Sequence, residues 1–485
     1  MTPFFRQAWA VSGVLINMLA QGMVLSYPTS LLPALQAPDA VIKADFDTSS
    51  WLASSVGLAG IPGFLLSSIL MERYGRKLTH AQVILPACIG WSLIYFAKDV
   101  PTIMIGRILT GFTSGGTVAL GAVVIGEYTS PKNRGMFLNL KTSSVSLGGM
   151  LVHILSRFLS WRAIALAALV PNIGSLMIIL TWPESPGWLA AKGEFERSKK
   201  SFFWLRGKDD ESSKELEEMI QAQVDRVSRT KDMAWKEKTV EFFKKFTRKD
   251  FLKPLFIICL GAVLIEVSGR HLFPAYALDI MAEITGSKNQ SFYLTLALDL
   301  IITISSTCSS ALVRMVKRRT LLFSTGFASV AILATVCTYL LLASRDVISK
   351  ERSWIPIGLF IAFFILVNLG CTPIPLAFLG ELLPLAHRGA GSGLAGVVLS
   401  LNVNLGLQLT PLLLANFKVY GTFAVLGTSM AVVLTMLYFI LPETKDRTLQ
   451  EIENYFNYGR FKEDVVKSDD VEVETKMIVS QVLKQ

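Results

Sequence analysis

Eight stretches of this chain contain no Asp, Glu, Lys or Arg: residues 7–38, 48–70, 108–126, 163–182, 320–344, 353–380, 389–417 and 421–441. A run of roughly 18 or more apolar residues is long enough to cross a bilayer as a helix, and in hydrocarbon the backbone must satisfy its own hydrogen bonds. Four further stretches, about 78–97, 136–158, 254–281 and 290–313, are apolar with isolated polar interruptions. Together they predict an all-α membrane protein with twelve transmembrane helices. Composition agrees, since only 17% of the 485 residues are charged, against about 25% in soluble domains. The first run is too long for a cleavable secretion signal, so it is read as the first span.

An even number of spans places both termini on one side. Basic clusters (Arg73, Arg76 and Lys77 after span 2; Lys317, Arg318 and Arg319 after span 8) and the lysine-rich connector at 190–253 fall on that side, which the positive-inside rule makes cytoplasmic. Asn289-Gln290-Ser291 is a glycosylation sequon in the loop after span 7, outside in this topology. The net charge of +10 is read as cytoplasmic charge beside anionic lipid, not as a nucleic-acid surface. All five cysteines lie inside apolar runs, so no disulfide framework is implied. No metal-ligand spacing, nucleophile–base set or nucleotide loop stands out, so neither an enzyme nor a cofactor or metal is expected. The expected partners are the lipid bilayer and a small solute, and the expected state is a plasma-membrane monomer.

Three phrases occur twice. "ERYGRK" at 72–77 returns as "RMVKRR" at 314–319, "GEYTSPKNRG" at 126–135 as "GELLPLAHRG" at 380–389, and "PESPGWL" at 183–189 as "PETKDRTL" at 442–449. The offsets are about 242, 254 and 259 residues, and similarity at a near-constant offset indicates two homologous halves. The predicted organisation is a six-helix bundle over 1–182, a cytoplasmic linker with short amphipathic helices over 183–252, a second six-helix bundle over 253–441, and a cytoplasmic tail over 442–485. The tail opens with a helical pattern (Leu449, Ile452, Phe456), and its charged end, about 462–485, is expected to be disordered. Every repeated phrase falls at the cytoplasmic mouth. Acid–base pairs there can link helix ends and break when the mouth opens, and two halves rocking about a central site are the design of alternating access.

Those phrases, together with Gly106-Arg107 in span 4 and the Pro373-Ile374-Pro375 break in span 10, resemble the sugar porter branch of the major facilitator superfamily over roughly residues 10–457. "SYPTSLLPAL" and "DTSSWLASSVGLAG" look most like the insect facilitated trehalose-transporter-like group. The resemblance implies two pseudo-symmetric bundles around a site for a sugar-sized solute. It implies a cytoplasmic gate of Glu72, Arg73, Arg76, Arg107, Glu127, Arg134, Glu184, Arg318, Glu381, Arg388 and Glu443. Several positions depart from the family pattern. Ile265 and Glu266 replace a Gln pair in span 7, His271 replaces an Asn, Leu376 stands where a Trp is expected, and the expected Gln of span 5 falls near Thr142. Arg314 stands where an acid is usual and Lys317 where a glycine is usual, and span 1 lacks the family's proton-coupling acid. A hydrogen-bonding set built for hydroxyls discriminates strongly, so its replacement predicts a solute other than plain glucose.

Glu266, Arg270 and Asp299 interrupt apolar spans, and intramembrane ionisable residues are functional candidates by default. At about 1.5 Å per residue, Glu266 lies roughly 20 Å from the cytoplasmic face and Asp299 about 12 Å from the outer one, nearly level in a core about 30 Å thick. Glu266 and Arg270 either neutralise one another or, with His271, meet an anionic or strongly polar solute while Glu266 carries a proton. Lys141 and His153 in span 5 are weaker candidates. Asn368, Asn402, Asn404 and Gln408 can supply hydrogen bonds, and the helix-breaking Gly370, Pro373 and Pro375 are expected beside the cavity. The expected function is transport of a sugar, disaccharide or glycoside, facilitated or proton-coupled, with Glu266 and Asp299 as proton-coupling candidates. The alternatives are a non-transporting nutrient sensor on the same scaffold and a proton-coupled carrier of anionic glycosides.

Overall fold

A computed structural model describes residues 2–231, 248–270, 291–345, 347, 354–383 and 388–458. In the N-terminal half, α1 (Pro3–Ser26) runs through Tyr27 into α2 (Pro28–Gln36). α3 (Phe46–Tyr74), α4 (Arg76–Phe96), α5 (Val100–Tyr128), α6 (Pro131–Ser156) and α7 (Trp161–Ile179) follow. Their starts are written locally. Asp45, Asp99 and Ser160 accept hydrogen bonds from the backbone N–H groups of Thr48, Thr102 and Ala163, which satisfies helix donors that would otherwise lack a partner. Three linker helices come next, α8 (Pro186–Ala191), α9 (Phe195–Arg206) and α10 (Asp210–Lys231).

The C-terminal half contains α11 (Lys249–Val267), α12 (Ser291–Met315), α13 (Arg318–Ser344) and α14 (Trp354–Leu366). A π-helical segment (Val367–Cys371) leads into α15 (Pro373–Glu381), and α16 (Arg388–Ile440) follows. Lys418, with φ 55° and ψ −178°, breaks α16 into two limbs. The chain continues into α17 (Leu449–Tyr458), which buries Ile452 and Phe456.

Among the described residues, nine helical segments are long and apolar enough to cross a membrane. The expected spans outside that set are α6, α11 and the first limb of α16. α6 is packed against α1 on one side and α12 on the other, so protein rather than lipid surrounds it and its polar residues find partners there. The outer faces of α4, α7, α12 and the second limb of α16 expose Ile89, Val170, Met177, Ile304 and Phe439, as a lipid-facing surface requires.

Within a bilayer helices gain no hydrophobic drive toward one another, so close approach depends on small residues. α1 and α6 meet where a Cβ on Gly22 would stand 1.9 Å from the Val145 carbonyl oxygen, and α3 and α5 where a Cβ on Gly63 would stand 2.1 Å from that of Phe112. The two halves touch along two main seams, α6 with α12 and α3 with α16, and α15 closes against α5 and α6.

The break in span 10 packs differently from expectation. A Cβ on Gly370 would stand 2.1 Å from Thr325 Oγ1 of α13, and Gly261 of α11 lies against Pro375. The freed backbone is therefore held by packed neighbours, and neither Gly370 nor the two prolines lines the central cavity.

Candidate functional site

The repeated phrases assemble into two matching clusters. In the N-terminal half, Arg76 donates to both oxygens of Glu127 at 2.8 and 2.7 Å, and Ser185 Oγ donates to Glu127 at 2.5 Å. Glu184 accepts from the backbone N–H groups of Arg76 at 2.7 Å and Lys77 at 3.2 Å, so its carboxylate caps the start of α4. Burial raises the Glu184 carboxyl above its ordinary value, against the pull of the backbone N–H groups of Ser185, Arg76 and Lys77.

In the C-terminal half, Arg318 pairs with Glu381, Thr444 Oγ1 donates to Glu381 at 3.1 Å, and Glu443 caps α13 through the N–H groups of Arg318 and Arg319, both at 3.1 Å. The three phrases of each half thus meet at one point: an arginine from the first, a glutamate from the second, a capping glutamate and a hydroxyl from the third. The loop geometry accounts for one departure. Gly75 has φ 87°, with its α-carbon hard against Glu184, whereas Lys317 has φ −62°, which any residue adopts.

Other gate candidates sit around these clusters. Arg134 is buried, donates to the Arg447 carbonyl at 3.2 Å and feels the charge of Glu381, so it ties the first half to the second. Glu72 lies on the exposed surface, where its carbonyl accepts from Trp188 at 3.1 Å, and Arg73 lies over the Tyr74 ring at 5.2 Å. Arg107 does not belong to the gate. It stands twenty residues before Glu127 in α5, about 30 Å away along the helix axis, and donates to the carbonyls of Leu52 and Val24 at 3.1 and 2.9 Å. It lies in the first turns of α5, at the end of the span far from Glu127, and there it forms part of the cavity wall. The Arg388 side chain, His271 and Asn289 lie outside the described residues.

A cavity of about 180 Å³ lies between the halves. Its wall includes Gln21 of α1, Ser54 of α3, Arg107 of α5, Lys141 and Thr142 of α6, Arg270, Leu376 of α15 and Asn404 of α16. Toward the repeated phrases α3 and α16 close together, with Phe64 against Gly396 and Gly60 near Ser400. Buried Gln21 Oε1 and Thr142 Oγ1 have no hydrogen-bond partner among the described residues, and buried polar atoms of that kind are rare unless something else satisfies them.

The remaining candidates divide. Asn368 donates to the Phe364 carbonyl at 2.9 Å and Asn402 to that of Val398 at 2.8 Å, each one turn back, and neither is in the cavity wall. Glu266 is turned toward Gly406 of α16, and its charge acts on Arg270. Asp299 is bonded to His153 across the α6–α12 seam. Gln21 and Ser54 were not singled out in the sequence, because one amide or hydroxyl in a long uncharged run carries no signal of the face it occupies.

The family described as Sugar (and other) transporter matches residues 24–456. The chain is 28% identical over 459 residues to the facilitated trehalose transporter Tret1 of Apis mellifera ligustica, covering 93% of this chain and 88% of that protein. It is 26% identical over 454 residues to the protein of the same name from Culex quinquefasciatus, covering 93% and 85%. Among solved structures, the major facilitator superfamily proton:xylose symporter XylE bound to 6-bromo-6-deoxy-D-glucose superposes with a TM-score of 0.80 at 16% identity, over 94% of this chain and all of that one. The inward-open conformation of the E. coli xylose transporter gives 0.64 at 16% identity, over 93% and 99%. The major facilitator fold is common to both.

Proposed function

The chain belongs to the sugar transporter family, a family of membrane carriers and not of enzymes, and on that premise we propose that it moves a sugar or glycoside across the plasma membrane by alternating access. It is a multi-pass membrane protein. The structure presents a central cavity with unpartnered Gln21 and Thr142 in its wall, shut on the side of the repeated phrases by two buried arginine–glutamate clusters. That combination of solute-ready polar atoms and a gate held by breakable charge pairs is the observation that carries the proposal. Its orientation places both termini in the cytoplasm, and it works as a monomer.

The solute site consists of Gln21, Thr142, Arg270, Leu376 and Asn404. Both gate clusters are complete, which favours a working carrier over a sensor that has lost its gates. The relatives named for trehalose make that disaccharide the first solute to test. Uptake in oocytes of trehalose, hexoses and neutral glycosides, at one acidic and one neutral pH, is expected to show saturable flux stimulated by solute preloaded on the opposite side. Binding without flux would turn the assignment to a nutrient sensor, and unsaturable flux to a channel. Proton coupling rests with Glu266, beside Arg270, or Asp299, beside His153.

A further inference from the structure

Among the described residues, the wall of the central cavity holds more positive charge than the carboxylates near it offset. Lys141 is 2% exposed, and the partner of its ammonium is the Val118 carbonyl at 3.3 Å. Arg270, on the turn after α11, lines the same cavity, and the charges of Lys141 and Arg270 repel one another. Glu266 attracts Arg270 and offsets one of the two charges. It does so from beside Gly406, outside the cavity wall. Arg107 is a third cation of the wall, but its donors are committed to the carbonyls of Val24 and Leu52 and its plane to the Tyr27 ring at 5.8 Å. Among the described residues that line the cavity there is no Asp or Glu.

Lys141 is buried and Arg270 half-buried, and like charges partly withdrawn from water are unfavourable unless an opposite charge or a bound anion compensates them. Their position next to Thr142, whose buried hydroxyl has no partner among the described residues, puts that demand in the solute site itself. We propose that Lys141 and Arg270 form an anion subsite, and that the carried solute is a sugar derivative bearing a negatively charged group such as a carboxylate or sulfate ester. The proposal rests on the carrier reading above and names the solute class of the same cavity. Thr142 and Gln21 then meet the hydroxyls of the sugar, while the two cations hold its charged end by charge-assisted hydrogen bonds.

The test compares methyl β-D-glucuronide with methyl β-D-glucoside, which differ only in a carboxylate replacing a hydroxymethyl group, as substrates of the full-length protein in phosphatidylcholine proteoliposomes. The glucuronide is expected to be taken up with a KM about tenfold lower than the glucoside. Lys141→Gln is expected to erase about tenfold of that preference, and Lys141→Arg to retain it, which separates lost charge from misfolding. Saturable glucoside uptake with no preference for the glucuronide overturns the anion subsite and leaves the carrier reading standing. Saturable uptake of neither probe, alongside failure of trehalose and hexoses, overturns both. A third arm adds phosphatidylglycerol to the liposomes. If that lipid abolishes the glucuronide preference through Lys141, the cations hold a lipid headgroup and the proposal fails.

Discussion

Gly126 and Gly380, the opening residues of the two repeated phrases, face each other across the boundary between the halves. A Cβ on Gly126 would stand 2.4 Å from the Gly380 carbonyl oxygen, and one on Gly380 would stand 2.5 Å from that of Ala122. α5 and α15 therefore touch backbone to backbone directly beside Glu127 and Glu381. Glycine permits the closure and the adjacent glutamates, each bound to the arginine of its own half, hold the helix ends in place.

The first prediction follows from that contact. Gly380→Val inserts a branched side chain where less than one atomic diameter is free, so the mouth beside the repeated phrases cannot close fully. In a protein stripped of its five cysteines, a cysteine at the fully buried Leu138, which lies 3.1 Å from the position of a Gly380 Cβ, reports the opening. Thiol labelling of Leu138→Cys from the side of the repeated phrases is expected to rise when Gly380→Val is added, and solute uptake to fall. Unchanged labelling would show that closure does not depend on this contact.

Arg318 and Glu381 form a pair in which Glu381 is 1% exposed. Removing one partner leaves the other charge buried, at a cost of about 3 kcal/mol. Arg318→Met is expected to lower the unfolding temperature of the purified protein more than Arg318→Met combined with Glu381→Met. The same order should hold for Arg76 and Glu127. If the double variant is worse than either single one, the pair stabilises through more than its own charges.

The Glu184 carboxyl is raised by burial in the closed gate. A carboxyl with a raised value binds a proton more readily in that state than when hydrated in the open mouth. The closed state is therefore favoured below the ordinary carboxylate range, and this advantage is lost as pH rises through the raised value. Labelling at Leu138→Cys should decrease as the buffer on the side of the repeated phrases is acidified, and Glu184→Gln should flatten that dependence. A dependence that survives Glu184→Gln belongs to another group.

The spans were legible wherever a helix faces lipid, because only there must nearly every residue be apolar. α6 is a weaker signal for the opposite reason: Asn139, Ser143 and His153 on it have partners on α12, so polar residues are tolerated. The repeated phrases disclosed the gate residues but not their pairing. Glu184 follows span 6 and Arg76 follows span 2, and nothing local says that one caps the helix that begins with the other. Arg107 was drawn to the gate by a shared motif, although its depth in the span sets it at the opposite end. In the cavity, the charged Arg270 stood out against apolar neighbours, whereas Gln21 became visible only when the packing of α1 against α6 showed which face it occupies.

Asp299 and Glu266, nearly level in sequence-based depth, have different surroundings, and this separates their roles. Asp299 is bonded to His153 on the seam where α6 meets α12, so it joins the halves. Glu266 lies between Gly406 and the field of Arg270, one residue beyond Ile265 of the cavity wall. In the proton-coupling proposal, Glu266 is the acid whose charge offsets that of Arg270 beside the solute. Glu266→Gln, which mimics the protonated acid, is expected to leave solute binding measurable while making uptake independent of pH between acidic and neutral buffers. Asp299→Asn is expected to reduce the maximal rate through the weakened seam while preserving the pH profile. Wild-type uptake that is flat across that range would remove proton coupling altogether, and a profile lost with Asp299→Asn but kept with Glu266→Gln would transfer it to the His153 pair.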